Sequence, residues 1–221
     1  MTQARPPHHI VKDDRHYLLR LIGEGEHQHQ DFKYKVADAC KLAKSVSAFA
    51  NTEGGRLLIG VRDDGHLSGV RSEEEIFMMR SAATDYCRPA ATVNFDTFSA
   101  GGRTIVIATV QPSTQKPIRA LGDDGKWRAY IRVADENIVA SPVHLRLWHD
   151  NQKPRGILVN IGRDETNVIG AMEGSPGMTL QQVVKRSHVN YHHTIVILAK
   201  LIRFGLANCQ LAEHRFLFSL M

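Results

Sequence analysis

The residues able to do chemistry gather in a few short stretches. Glu24, Glu26, His27 and His29 form a Glu-x-Glu-His-x-His string. Carboxylates and imidazoles so close together are the ligand types of Zn2+ or Ni2+, although no second His or Cys cluster accompanies them and a polar loop accounts for the same residues. Further on, Asn51, Thr52, Gly54 and Gly55 lie between an apolar-periodic segment and an apolar run. A backbone without Cβ can approach a phosphate there; the same glycines also serve as the left-handed cap that ends a helix. The nearest string to a phosphate-binding P-loop is Gly122-Asp123-Asp124-Gly125-Lys126-Trp127. Its spacing differs from G-x-x-x-x-G-K-[ST], no Ser or Thr follows the lysine, and two aspartates would repel phosphate. It reads as a hairpin turn and lends no support to ATP as a cofactor. No Ser/His/Asp or Cys/His arrangement stands out as a nucleophile.

Charge is distributed unevenly. The formal net charge is +5, yet residues 1–150 hold 20 Lys and Arg against 19 Asp and Glu, while residues 151–221 hold 8 against 4. The basic excess belongs to the C-terminal third, where a local positive surface attracts polyanions or simply remains a solvated face. Lys185, Arg186, Lys200, Arg203 and Arg215 are the candidates there for phosphate contacts, with His192 and His193 near the start of a helix.

These residues must be positioned by regular elements, and the pattern supplies them. Tyr17, Leu18, Leu21 and Ile22 mark a short amphipathic helix over about 14–22 after a loose tail. A short strand is expected at Asp31–Tyr34. A helix over 36–50 carries Val36, Ala39, Cys40, Ala43, Val46 and Ala50 at the i, i+3, i+4, i+7 spacing. Arg56–Val61 reads as a buried strand, Asp63-Asp64-Gly65 as a turn, and His66–Val70 as a returning strand. Ser72 with Glu75 predicts a capping box opening a helix to Cys87. Two arms, 92–98 and 103–110, form a hairpin. A strand over 126–133 and a closing helix over 142–148 complete an α+β domain. Asp150 to Gly156 reads as a linker. Helices over 165–173, 179–187 and 190–204 follow, the second opened by a Thr179/Gln182 capping box, and 206–209 with 215–220 can pair as a hairpin. Three helices and a hairpin are the element order of a winged helix-turn-helix. Residues near the start of the third helix, Asn190 to Thr194, would then face a DNA groove. Its additional apolar residues Val196, Ile197 and Leu201 point instead to a dimerisation face.

The stretch S-V-S-A-F-A-N-T-E-G-G-R-L-L-I-G-V-R-D-D-G-H-L-S-G-V from Ser45 to Val70, preceded by Glu26 and Asp31-Phe32-Lys33, resembles the Schlafen AlbA-like domain, once called a divergent AAA domain. Lys116-Pro117 and Tyr130-Ile131-Arg132-Val133 look like its late strands, so that the likeness covers about 14–148. The C-terminal third resembles winged-helix segments that often follow this domain in bacterial proteins. The resemblance implies an AlbA-like mixed sheet with helices, binding of DNA or RNA, and transcriptional regulation. Lys33, Lys35 and Arg132 are the first domain's expected phosphate contacts. Some Schlafen relatives cleave RNA with three carboxylates and a divalent metal. By motif, Glu26, Asp31 and Asp63 would occupy those places and hold Mg2+ or Mn2+, with Asp31 standing where the family usually has Glu; the alternative is that these carboxylates are solvated and Asp63 merely begins a turn.

The expected division is a tail over 1–13, the AlbA-like domain over 14–149, a linker over 150–156 and the winged-helix-like domain over 157–221. The 43% hydrophobic and 23% charged content excludes collagen-like and wholly disordered chains. The longest apolar run is Ile195–Ala199, far short of the ~20 residues that span a bilayer. No apolar segment of a secretory leader occurs near Met1, and Cys40, Cys87 and Cys209 are widely spaced. A cytoplasmic protein with reduced thiols, no membrane partner, and a homodimer on nucleic acid is the expectation.

Overall fold

The computed structural model describes residues 11–12, 15–36, 38–152 and 161–221. They divide into two compact units, Met1–Val139 and Ala140–Met221.

The first unit runs β1 (Val11–Lys12), α1 (Arg15–Gly23), β2 (Gln30–Lys33), α2 (Ala39–Asn51), β3 (Gly55–Ile59), α3 (Ser72–Thr84), β4 (Cys87–Arg88), β5 (Val93–Ala100), β6 (Arg103–Val110), β7 (Arg119–Leu121), β8 (Trp127–Val133) and β9 (Glu136–Val139). One sheet is mixed, ordered β1-β5-β6-β3-β2, with β1 parallel to β5 and β2 parallel to β3. The other is antiparallel, β4-β7-β8-β9. The α+β class expected from the pattern is the class observed.

The apolar run of β3 shows why the mixed sheet is covered twice. A strand buried on both faces is apolar without alternation. Leu57 and Ile59 join Val46 and Phe49 of α2 and Met79 of α3, whereas Leu58 joins Leu18 and Leu21 of α1 with Phe98 and Ile105. Helix α2 is buried beyond its apolar stripe, for Ser45, Ser47 and Asn51 are buried too. Ser45 lies between Asp31 of β2 and Asn137 of β9, and the partners of Ser47 and Asn51 lie at β7 and β8. Ser47 Oγ donates to the Ile118 carbonyl at 2.8 Å and accepts from the Tyr130 amide at 3.0 Å. Asn51 Nδ2 donates to the Ile118 and Tyr130 carbonyls at 2.8 and 2.9 Å, and its Oδ1 accepts from the Ile118 amide at 2.8 Å. Backbone groups that must not be buried unpaired are thus satisfied by helix side chains.

The second unit runs α4 (Pro142–Asn151), α5 (Arg163–Met172), α6 (Leu180–Ser187), α7 (Tyr191–Arg203), β10 (Ala207–Ala212) and β11 (Arg215–Leu220). Its core gathers Val143, Val168, Met172, Val183, Ile197, Leu198, Leu201 and Phe218. The Thr179/Gln182 capping box forms, with reciprocal bonds of 3.3 and 2.8 Å. The β10–β11 hairpin turns on Glu213 and His214, both at positive φ, as a two-residue turn of primed type requires.

Several expectations are corrected. His66–Val70 is not a strand: only an isolated bridge joins Val61 to Leu67. The N-cap of α3 is Arg71, with no side-chain capping bond. The helix expected to close the first domain, α4, places Val143 in the core of the second unit. Helix α7 contributes to the same core, with Ile197 and Leu201 buried and Val196 half-buried. Of the expected tail over 1–13, Val11–Lys12 pair with β5 and the rest lies outside the described residues, as does the part of the linker beyond Gln152. No helix among the described residues is long and apolar enough to cross a membrane.

Candidate functional site

The carboxylates singled out by the resemblance do not assemble into a triad. Asp31 is buried at 4% exposure on β2. Its carboxylate meets Lys33 Nζ at 2.7 Å, Arg132 Nη2 at 3.7 Å and the Ser45 hydroxyl at 3.3 Å. Glu26 stands beside it, accepting from the Phe32 amide at 2.8 Å. Burial pushes the Glu26 carboxyl above its ordinary value, and its hydrogen bond with Asp31 pushes the same way. Asp63, by contrast, is exposed in the turn that the Gly65 amide closes on the Arg62 carbonyl. Among the described residues no three His, Cys, Asp or Glu side chains converge so as to hold a metal. The Asp31 oxygens that a divalent ion would need are held instead by protein cations.

The histidine string is likewise parcelled out. His27 faces Glu24 at 3.7 Å and accepts from the His29 amide at 3.1 Å; His29 faces Glu53 at 3.4 Å. Glu24 also pairs with Arg56. The loop after α2 is structural as well. Asn51 is spent on β7 and β8, and a Cβ on Gly54 would meet the Val110 carbonyl oxygen at 2.9 Å with φ already +80°.

A second group of residues does converge, and the signature glycines build it. Gly60, Gly65 and Gly69 all have positive φ, which glycine adopts without steric cost. The Ser68 and Gly69 amides both donate to the Gly60 carbonyl, at 2.8 and 3.0 Å. The segment after β3 is thereby folded back on itself, and Arg103 Nη1 donates to the Ser68 carbonyl at 2.7 Å. The result is a groove of about 640 Å³ lined by Lys35, Arg71 and Arg103, with Glu74 and Glu75 on its α3 side. Burial pushes the Glu75 carboxyl upward, the neighbouring Glu74 adding to the shift. Next to the groove Tyr34 is 41% exposed, with Lys35 Nζ 5.2 Å and Arg62 Cζ 4.9 Å from its ring centroid. Exposed cations flanking an accessible aromatic ring can hold phosphates and stack a base.

Of the cations expected to meet phosphates, Lys35 lines this groove. Lys33 is engaged by Asp31. Arg132 is buried at 2% exposure, its guanidinium donating to Asn137 and to the Gln30 carbonyl; it positions β2 and presents no surface to a polyanion. In the second unit Lys185, Arg186, His192 and Arg215 are exposed. Lys200 is paired with Glu165 and His193 with Asp164, each at 2.8 Å, and Arg203 is half-buried. Tyr34, Arg62, Arg71 and Arg103 were not singled out from sequence. The adjacent Tyr34-Lys35 pair was the available signal, an aromatic beside a base just after a strand.

A family model described as Schlafen, AlbA_2 matches residues 26–141. Among solved structures, the DIP2311 protein from Corynebacterium diphtheriae is similar at 18% identity and a TM-score of 0.44, over 71% of this chain and 37% of that one. This chain therefore spans little more than a third of that protein's length. The N-terminal domain of a protein from Nitrosomonas europaea, described as related to the ATP-dependent DNA helicase RecG, is similar at 21% identity and a TM-score of 0.43, over 69% of this chain and 98% of that one. Among curated proteins none matches. The match over 26–141 takes in the Asp31-Phe32-Lys33 strand, the helix-to-strand loop at Asn51–Gly55 and the Gly60–Gly69 return, and on it the chain belongs to the Schlafen AlbA_2 family.

Proposed function

We propose that this chain is a nucleic-acid-binding protein whose first unit takes the polymer at the Lys35–Arg71–Arg103 groove. The observation that carries the reading is Tyr34, exposed between Lys35 and Arg62 beside that groove. Phosphates would lie along the cations while a base stacks on the ring. The second unit supports a finer reading, a DNA-binding transcriptional regulator. Its α5, α6 and α7 followed by a hairpin keep the order of a winged helix-turn-helix, with the start of α7 and Arg215 of the hairpin available to a duplex. Because Lys33 and Arg132 already neutralise Asp31, binding needs no Mg2+ or Mn2+, and a chelator leaves it unchanged.

Fluorescence anisotropy with labelled single-stranded RNA, single-stranded DNA and duplex DNA tests the reading. Affinity should fall steeply with salt as counterions are released. Y34A should weaken single-strand binding on the order of tenfold, the scale of one lost base stack, and K35Q/R103Q should also flatten the salt dependence. A chain that binds none of the three at low salt ends the proposal.

A further inference from the structure

The antiparallel sheet of the first unit carries a charge arrangement that the groove does not explain. Arg88 of β4 and Arg119 of β7 are directly opposite in the ladder, and both are exposed. Residues so placed have Cβ atoms about 5 Å apart, and like charges there repel. Neither arginine has an ion-pair or hydrogen-bond partner for its side chain among the described residues. The nearby turn joining β7 to β8 holds two aspartates, but these are committed elsewhere: Asp123 pairs with Lys44 at 3.2 Å and Asp124 with Arg128 at 2.6 Å. Arg88 is also not free to swing away, because its guanidinium lies 4.4 Å from the ring centroid of Trp127 on β8. The half-buried Trp127 lies opposite Leu121 in the β7–β8 ladder and Arg119 lies opposite Ala129. Positions two apart on a strand share a face, so Arg88, Arg119 and Trp127 stand together on one side of this sheet.

We infer that this face is a second nucleic-acid contact, distinct from the groove, in which Arg88 and Arg119 clasp one phosphodiester and the adjoining base stacks on the Arg88–Trp127 pair. The inference rests on the nucleic-acid reading of the first unit and adds a surface to it. The chemistry is specific to guanidinium groups. Two planar forks carried on Cβ atoms about 5 Å apart, one stiffened against an indole, can converge on the oxygens of a single phosphate. An arginine already stacked on an aromatic ring offers its other face to a base. A bound phosphate would also remove the repulsion that the bare ladder tolerates.

The test uses the full chain, single-stranded RNA and DNA oligonucleotides, and anisotropy across a salt series. R88Q/R119Q is compared with the unaltered protein and with K35Q/R103Q at the groove. R88Q/R119Q should bind on the order of tenfold more weakly, with a salt slope shallower by about 0.7, the value for one phosphate no longer neutralised on a single strand. Without nucleic acid, R119Q should melt at the same temperature as the unaltered protein or slightly above it, since a like-charge pair has been removed; a cooperative melt of R88Q/R119Q well above the assay temperature checks that the double variant folds. An R88Q/R119Q protein that keeps both affinity and slope overturns this surface and leaves the groove standing. Loss at R88Q/R119Q with no effect of K35Q/R103Q keeps this surface and removes the groove. Absence of binding by the unaltered chain overturns both.

Discussion

Asn51 illustrates what a single residue does in this fold. It ends α2 at 3% exposure, and both ends of its amide are used on the backbone of Ile118 and Tyr130. Removing the amide takes the acceptor from the Ile118 N–H and a donor from the Tyr130 carbonyl, and leaves the Ile118 carbonyl to Ser47, in a place water does not reach. The cost of leaving such groups unpaired is about 1–3 kcal/mol each before relaxation, so N51A should destabilise the first unit by about 2–4 kcal/mol. Urea unfolding checks this, and a midpoint unchanged from the unaltered protein would refute it. In the sequence, Asn51 looked like a cap or a phosphate loop residue. Its helical position was legible; its partners, 67 and 79 residues further on, were not.

At the scale of elements, the return from β3 to α3 carries the site. Gly60 has φ +95°, and a Cβ there would meet Ile105 Cδ1 at 3.0 Å and Gly69 backbone at 3.2 Å. G60A should therefore cost about 1–3 kcal/mol through backbone strain alone. It should also displace the Ser68–Gly69 strap that Arg103 grips, weakening nucleic-acid binding more than the stability loss explains. Binding measured well below the unfolding midpoint separates the two effects; unaltered affinity in a folded G60A protein would show that the strap does not shape the groove. The turn residues Asp63-Asp64-Gly65 announced this reversal in the sequence. That His66–Val70 would be held by bonds to Gly60 rather than by a strand ladder was not visible, because both conformations are extended and share a residue preference.

For the whole molecule, each unit has its own core, and the two should respond differently to acid. His144 of α4 packs against Phe216, with ring centroids 4.8 Å apart, and its Nδ1 is 2.7 Å from the Ser141 hydroxyl. Burial pushes its pKa down to about 4 from 6.5. Between those values the unfolded chain binds more protons than the folded one, so stability of the second unit is fully present above about pH 6.5 and declines as pH falls toward 4. The loss is at most about 3 kcal/mol. Trp148 lies 6.2 Å from His144, and its emission in a W127F background should report an unfolding midpoint that falls over this window. H144F should flatten that dependence, while the first unit's transition should move with N51A and not with His144. A window of the same size in H144F would assign the proton to another group.

Much of this architecture was written locally. Apolar spacing fixed α2, β3 and α7 to within a few residues, Thr179 and Gln182 marked the start of α6, and the Ser45–Val70 pattern was enough to place the chain in its family. These features depend on neighbours three or four residues away, which the sequence lists directly. The tertiary structure decided what no local pattern contains. It buried Arg132 and gave Asp31 to Lys33, because charges in a low-dielectric interior must be paired with whatever the fold brings near. It brought α4 and α7 into one core, where Ile197 and Leu201 are buried with Val143. Finally, it set Arg88 opposite Arg119 with no carboxylate partner among the described residues and Tyr34 between two cations, juxtapositions across strand ladders and loop returns whose register is settled only when both faces of each sheet are covered.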